Sequence, residues 1–387
     1  MTASYITPVD EMTTSNLSNT IPNPRENEAE RRKRMRQRKV RNFIQSLFSH
    51  AAINVIGLFF LIPFLWMLIT AFKSNADVFH TPPRWLPYDN VRVEVNGKQL
   101  PLYNIQTESG VKQLAVVEII EGVGKFVDPA HPDQVMTYEI QQGSTKIAEP
   151  IMHISFRWQN FPDAMNRGSR PGIGASFWVY FKNSLIIAFF VIIGTLLSNA
   201  PVAYAFARLK FPARDVLFVI VLATMMLPYQ VTMIPLYLFF NNFLHWGDTF
   251  LPIIVPAFFA NAYDVFLLRQ FFRTIPEEMC DAARVDGASE WQIFTQLILP
   301  LSVPVLATVT VFTFLWAWND FTGPLLFLTS PKNFTMALGL QDFQSQRTMV
   351  WNQLMAAATV FTVPIVIAFF FAQKTFIQGI KLTGSKE

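Results

Sequence analysis

Charged side chains are scarce. Asp, Glu, Lys and Arg make up 15% of the 387 residues, whereas 51% are hydrophobic, and ordinary soluble domains carry about 25% charge. A chain this apolar is expected to use lipid as solvent for much of its length. Cysteine is nearly absent: the single Cys280 excludes an internal disulfide or a cysteine zinc site, and no neighbour activates it, so it is read as structural. The five histidines (His50, His80, His131, His153 and His245) form no ligand-spaced motif such as H-E-x-x-H, which argues against a metal site and a membrane enzyme. No G-x-x-x-x-G-K-[ST] phosphate loop occurs either. Gly122-Val-Gly-Lys125 comes nearest but lacks a following helix, so no cofactor and no bound nucleotide is expected in this chain.

The charge that is present is concentrated. Residues 25 to 41 hold nine Lys and Arg just ahead of the first apolar run. A basic run of this kind can bind nucleic acid, but beside a membrane segment it is read as a cytoplasmic anchor on anionic lipid, with no nucleic-acid partner. Because the apolar run follows a long charged tail, it is not expected to be a cleavable signal peptide. Residues 1 to 24, rich in Thr, Ser, Asn and Pro, lack periodic hydrophobicity, and 1 to 42 are expected to form a disordered basic tail.

Six stretches then approach the roughly 20 apolar residues needed to cross a bilayer, near 50 to 72, 180 to 206, 215 to 240, 249 to 271, 297 to 319 and 352 to 374. The expected fold is an all-α membrane bundle of six transmembrane helices. Lys and Arg favour the cytoplasmic side: ARLKFPAR at 207 to 214 carries three, residues 269 to 284 carry Arg269, Arg273 and Arg284, and NNFLHWGD at 241 to 248 carries none. Both termini are therefore expected in the cytoplasm, with 73 to 179 and 320 to 351 facing outward. Prolines at 63, 201, 228, 235, 256, 304 and 364 favour kinks within the apolar segments.

The outward segment changes period. VRVEV at 91 to 95 and KQLPLY at 98 to 103 flank Asn96-Gly97, a strong signal for a type I′ hairpin. Strand candidates continue at 114 to 120, 134 to 140 and 151 to 158. A small β-rich extracytoplasmic insertion is expected over 90 to 158, between a first segment, 43 to 89, and a helical core, 159 to 387.

The densest chemistry lies between the fourth and fifth apolar stretches, in PEEMCDAARVDGASEWQIFTQLILPLSVP from Pro276 to Pro304. Pro276 suits the first turn of a helix whose positive end favours Glu277 and Glu278. Ala282 and Ala283 leave a small-residue surface, Gly287 ends the helix, and Ser289 caps the next one, with Trp291, Phe294 and Leu297 on one face. Such a helix suits docking into a partner's groove, although the same features describe an ordinary interfacial helix.

The stretch resembles the cytoplasmic signature loop of binding-protein-dependent ABC importer permeases: Glu-Ala-Ala, three residues, Gly, nine residues, Ile-x-Leu-Pro. Asp281-Ala282-Ala283, Gly287 and Leu297-Ile298-Leu299-Pro300 meet that spacing, with Asp281 for Glu and Leu297 for Ile. LITAFKSNADVF (68 to 79), PPRWLP (82 to 87), FKNSLIIA (181 to 188), AYAFARLKFPAR (203 to 214), LPYQVTMIPLY (227 to 237), WAWNDFTGPLLF (316 to 327) and the end QKTFIQGIKLTGSKE, with Phe376 and Gly379, are similar to the carbohydrate, maltose-type branch. The 90 to 158 insertion departs from that branch's short first outward loop.

The resemblance implies a multi-pass permease of a bacterial or archaeal inner membrane that carries a sugar or oligosaccharide and is not itself an enzyme. Implied partners are a second permease subunit, a dimeric nucleotide-binding ATPase that holds ATP and magnesium, and an extracytoplasmic solute-binding protein. Glu278, Asp281, Ala282, Ala283, Asp286, Gly287, Leu299 and Pro300, in a coupling loop over 273 to 300, would transmit ATPase closure. At membrane depth unpaired polar groups are costly, so Asn199, Tyr204, Asn261, Tyr263, Asp264, Trp318, Asn319 and Gln353 are candidates for the substrate pathway, each equally able to serve helix packing. A competing reading is a sensor whose β domain binds ligand; it would require a cytoplasmic effector, and none follows residue 374. A secondary transporter would show repeated halves, and no internal duplication is seen.

Overall fold

A computed structural model describes residues 28–107, 110–120, 122–142, 145–167, 175–344 and 350–384. It divides into two compact units, Met1–Phe64 and Leu65–Glu387. The first apolar stretch lies in one long helix, α1 (Glu28–Ala71). Residues 28–42, expected within a disordered tail, are helical: Glu, Ala, Arg and Lys are strong helix formers, and extending an existing helix avoids the cost of a new nucleus. Residues 1–27 lie outside the described residues. From Phe43 to Leu68 most large apolar side chains of α1 are exposed, the arrangement expected of a helix solvated by lipid.

A short helix, α2 (Asn75–Val78), follows, then the β region, then α3 (Asn160–Asn166) and α4 (Phe177–Arg208). The third apolar stretch is two helices, α5 (Arg214–Thr224) and α6 (Tyr229–Leu238), which with the π turn Phe239–Phe243 bend by 89°. The bend sits at Pro228, which is itself extended (ψ 134°) as the N-cap of α6. The fourth comprises α7 (Leu251–Ile254), a 3-10 turn and α8 (Ala262–Phe272). Next come α9 (Glu277–Val285), α10 (Glu290–Gln292), the π turn Ile293–Ile298, α11 (Leu299–Leu301), α12 (Val303–Asn319), α13 (Thr322–Phe327), α14 (Met336–Gln344) and α15 (Trp351–Gly384). The segments Glu290–Leu301 and Val303–Asn319 meet at 77°. Of the prolines expected to kink helices, Pro63, Pro201 and Pro364 lie inside continuous helices. Among the described residues, four helical segments are long and apolar enough to cross a membrane, and two bent pairs are apolar enough to join them.

The β region holds strands β1 (Tyr88–Asn90), β2 (Arg92–Val95), β3 (Lys98–Thr107), β4 (Gly110–Ile120), β5 (Val123–Asp128), β6 (His131–Glu139), β7 (Gln141–Gln142), β8 (Thr145–Lys146), β9 (Ala148–Pro150) and β10 (Met152–Ile154). β2 to β6 pair in sequence order, β9 adds to β3, and β1 pairs with β10. The expected hairpin is present: Val95 pairs with Lys98 across Asn96 and Gly97, whose φ values of 51° and 76° are those of a type I′ turn. The two faces of the sheet bury separate clusters, Ile105, Leu114, Val116 and Phe126 on one and Val95, Ala115 and Val127 on the other. β5 was not foreseen because Gly122 and Gly124 interrupt its apolar alternation. The Gly122-Val-Gly-Lys125 sequence runs along this strand, with no helix after it.

Side-chain bonds to backbone gather the helix connections into two groups. In one, Asn160 Nδ2 donates to the carbonyls of Ala71 (2.7 Å) and Lys73 (2.9 Å), and Asn352 Nδ2 reaches the same Lys73 carbonyl (3.0 Å). Asn183 spans to the carbonyls of Lys332 and Phe334. In NNFLHWGD, the Asp248 carboxylate accepts the amides of Thr329 (2.9 Å) and Ser330 (2.8 Å). Burial opposes its charge, but hydrogen bonds from Ser330, Thr329 and Asn333 outweigh that and hold the carboxyl well below the usual carboxylate range. In the other group, Arg208 donates to the carbonyls of Phe272 and Ile275, and Arg269 Nε to that of Phe206 (3.1 Å). Lys73 thus meets Asn160 and Asn352, the 241–248 connection meets Thr329 and Ser330, and the 207–214 connection meets Phe272 and Ile275.

Candidate coupling loop and membrane-depth cleft

The stretch from Pro276 to Pro300 folds as two helical pieces with a hinge. Pro276 stands one position earlier than expected, as the N-cap of α9, followed by Glu277 and Glu278 in the first turn. α9 ends in a Schellman motif: the Ala288 amide reaches the Ala283 carbonyl (2.9 Å) and the Gly287 amide that of Arg284 (3.0 Å). Gly287 takes φ +84°, which a side chain would strain, and no atom lies within 4 Å of a Cβ built there. Ser289 caps α10 in a capping box with Gln292. Beyond it, Phe294 is buried and Leu297 half-buried, while Trp291, its ring 5.4 Å from that of Phe294, is 65% exposed at the edge of the same face.

α9 buries its Cys280 side and presents the opposite one. Cys280 is fully buried, which pushes its thiol up from the usual value, in keeping with a structural thiol. Glu277, Glu278, Asp281, Ala282, Asp286 and Gly287 are exposed; Ala283 is half-buried against the helical core. Leu299 is half-buried and Pro300 exposed where the chain turns back. The exposed face therefore combines acidic and small residues, a surface with solvent-facing charge and room for a partner.

Four side chains join this helix to the end of α4. Arg284 Nε donates to Glu290 Oε1 (2.7 Å), one Arg284 amino nitrogen donates to Asp281 Oδ1 (2.7 Å), and the Tyr204 hydroxyl donates to Glu290 Oε2 (2.6 Å). The Tyr204 ring also packs on Phe294, with centroids 5.2 Å apart. Hydrogen bonds donated to Glu290, against some burial, and to Asp281 hold the Arg284 proton more tightly than usual. Arg284 and Glu290 lie either side of Gly287, so the network closes the hinge.

The substrate-pathway candidates separate into distinct places. Tyr204, expected at membrane depth, is buried at this loop instead. Asn199 is fully buried; its amide bonds the Thr195 carbonyl (2.8 Å) and its Oδ1 accepts the Asn261 amide (2.8 Å), which fastens α4 to the start of α8. Trp318 is buried, its indole donating to the Phe361 carbonyl (3.1 Å). Asn319 caps its own helix on the Leu315 carbonyl, and Gln353 accepts from Arg167 (2.7 Å) beside the 160–167 turn. Asn261, Tyr263 and Asp264 alone come together, in a cleft of about 570 Å³ between α4, the 253–264 segment and α12.

That cleft also takes in Thr195, Thr313 and Trp316, which the sequence reading missed. WAWND offered the signal: residues two apart on a helix lie some 200° apart, so Trp316 and Trp318 face opposite ways. Trp316 is 63% exposed and Trp318 is 1% exposed.

Comparison with known proteins fits this arrangement. Residues 191–382 match the family described as binding-protein-dependent transport system inner membrane component. The arabinooligosaccharides transport system permease protein of Halalkalibacterium halodurans is 36% identical over 210 residues, 54% of this chain and 75% of that protein. The sn-glycerol-3-phosphate transport system permease protein of Salmonella choleraesuis is 35% identical over 214 residues, again 54% and 75%. A crystal structure of a bacterial ABC transporter involved in the import of the acidic polysaccharide alginate shares the fold, with a TM-score of 0.60 at 18% identity over 86% of this chain and 96% of that one. The signature spacing from Asp281 to Pro300 falls inside the matched region, and these relatives are permeases, with no catalytic role in their names. The chain belongs to the family of inner membrane components of binding-protein-dependent transport systems, as a permease of an ABC importer.

Proposed function

We propose that this chain is one half of the membrane pathway of a sugar or oligosaccharide importer and that the 276–300 loop couples it to an ATPase. The observation that carries this reading is the pairing of an exposed acidic and small-residue face on α9 with the Arg284–Glu290–Tyr204 network behind it. A rigid docked helix tied to the end of a long helix transmits rotation, because packed surfaces have discrete arrangements rather than continuous ones. In this reading Glu278, Asp281, Ala282, Ala283, Asp286 and Gly287 meet the ATPase subunit, whose ATP and magnesium power closure, and Leu299 and Pro300 fix the return to the membrane.

The sugar class follows from the arabinooligosaccharide relative and the motifs of the carbohydrate branch. The remaining partners are a second permease subunit and an extracytoplasmic solute-binding protein. Six spans, made of the four helical segments and the two bent pairs, put both termini in the cytoplasm when the Lys- and Arg-rich 207–214 and 269–284 connections face inward. The grouping of connections supports that orientation, and the 90–158 region then faces outward.

Cross-linking tests the docking directly. In the assembled transporter with Cys280→Ser, Ala282→Cys is expected to form a bond to a cysteine scanned along the ATPase cleft, whereas Thr295→Cys is not. If Ala282→Cys captures no ATPase position while the complex stays assembled, the loop is not the docking element.

A further inference from the structure

Resting on the permease reading, we infer that the cleft between α4, α8 and α12 is a solute subsite for uncharged saccharides and excludes phosphorylated or uronate-bearing ones. The relatives carry solutes of both kinds by name, so family membership leaves the charge of the solute open. The chemistry of the cleft does not.

Its walls are mostly apolar, but several polar groups converge on it, the usual composition of a small-molecule site. Thr195 and Thr313 are buried residues that line the cleft, and neither hydroxyl makes a hydrogen bond among the described residues. Two other threonines of α12, Thr308 and Thr310, close onto carbonyls four residues back. Thr195 and Thr313 instead keep a donor and acceptor for a ligand hydroxyl. Tyr263 and Trp316, 49% and 63% exposed, add aromatic surface for the C–H face of a sugar ring. Asn261 Nδ2 donates to the Asp264 carboxylate, which is 7% exposed and is the only carboxylate lining the cleft among the described residues.

No Lys, Arg or His lines this space among the described residues. An anionic ligand would be desolvated beside a carboxylate with no compensating cation, and phosphate and carboxylate recognition ordinarily rests on Arg or Lys. A neutral polyol meets only hydroxyls, an amide, a carboxylate acceptor and aromatic faces. The indole of Trp316 is the expected platform.

The test uses the complete transporter in proteoliposomes with Cys280→Ser and either Thr313→Cys or Thr195→Cys, both close in size to the native residue. Probes are maltotriose and arabinotriose as neutral solutes, and sn-glycerol 3-phosphate and a guluronate trimer as anionic ones. ATP-driven uptake and the rate of maleimide alkylation are read together. Uptake is expected to be confined to neutral probes, and the transported sugar should slow alkylation by about tenfold or more. Trp316→Ala should weaken that protection roughly three- to tenfold. Uptake of an anionic probe overturns the inference, as does a transported neutral sugar that leaves both thiols reactive. Thiols shielded equally with and without sugar mean that lipid or a neighbouring subunit fills the cleft, which overturns it too. None of these results touches the coupling loop, whose failure would instead appear as retained uptake in a Gly287→Asp variant.

Discussion

At the scale of single residues, the account turns on Glu290. Its carboxylate is shared by Arg284 across the hinge and by Tyr204 on α4, so it is a positioning residue that holds α9 against the helix it would move. Glu290 and Arg284 are 43% and 33% exposed, and solvent screening limits the network to on the order of 1 kcal/mol, about a fivefold change in the population of the closed hinge. Glu290→Gln is therefore expected to lower solute uptake per ATP hydrolysed several-fold while the complex assembles and hydrolyses ATP. Reversing the pair, Arg284→Glu with Glu290→Arg, should restore part of that ratio, and a purely structural role would show no such recovery. Ratio measurements in proteoliposomes decide it. The network was only half legible in the sequence. Arg284 and Glu290 stand in the quoted loop, but Tyr204 lies 86 residues away from Glu290 and was assigned to membrane depth. Only the fold brings its hydroxyl to the loop.

At the scale of elements, local signals worked where local chemistry decides the backbone. Asn96-Gly97 specified a two-residue hairpin, Ser289 a cap and Gly287 a helix end, because each depends on a few neighbouring dihedral angles. Strand β5 and the π turn at 293–298 are not legible in the sequence, since glycine weakens the alternation and a π turn leaves no residue signature of its own. Proline was a poor guide: bends fall at Pro228 and just before Pro304, whereas Pro201 and Pro364 sit within unbroken helices. The β region has its own small clusters, and its ends are adjacent, with Asn90 opposite Met152 and the Val91 amide on the Ile151 carbonyl. Replacing residues 92–150 by a two-residue Asn-Gly turn should therefore leave a helical core that folds and assembles. Helix content by circular dichroism and co-purification of the second permease subunit check this; loss of the membrane complex would mean that the insertion is part of the scaffold.

At the scale of the whole molecule, the class was the most legible feature. Scarce charge, long apolar stretches and one loop spacing pointed to a permease, and the family match and relatives agree. Less legible was the division of labour among polar groups inside the bundle. Asn199 and Trp318 satisfy backbone and packing needs, Asn261, Tyr263 and Asp264 line a cleft, and a sequence lists all five alike. Long-range packing makes that distinction, and hydropathy does not register it. Across the fold, the two groups of connections are joined by long helices with buried seams, as alternating access requires if one end is to respond to events at the other.

The central claim is that nucleotide-driven movement enters this chain through the 276–300 loop. The most direct measurement is ATP-driven uptake and binding-protein-stimulated ATPase activity of the reconstituted transporter, native against Gly287→Asp with Ala283→Glu, at matched assembly. Stimulation and uptake are both expected to fall to background while the complex stays folded and intact. Native-like uptake in that variant would contradict it.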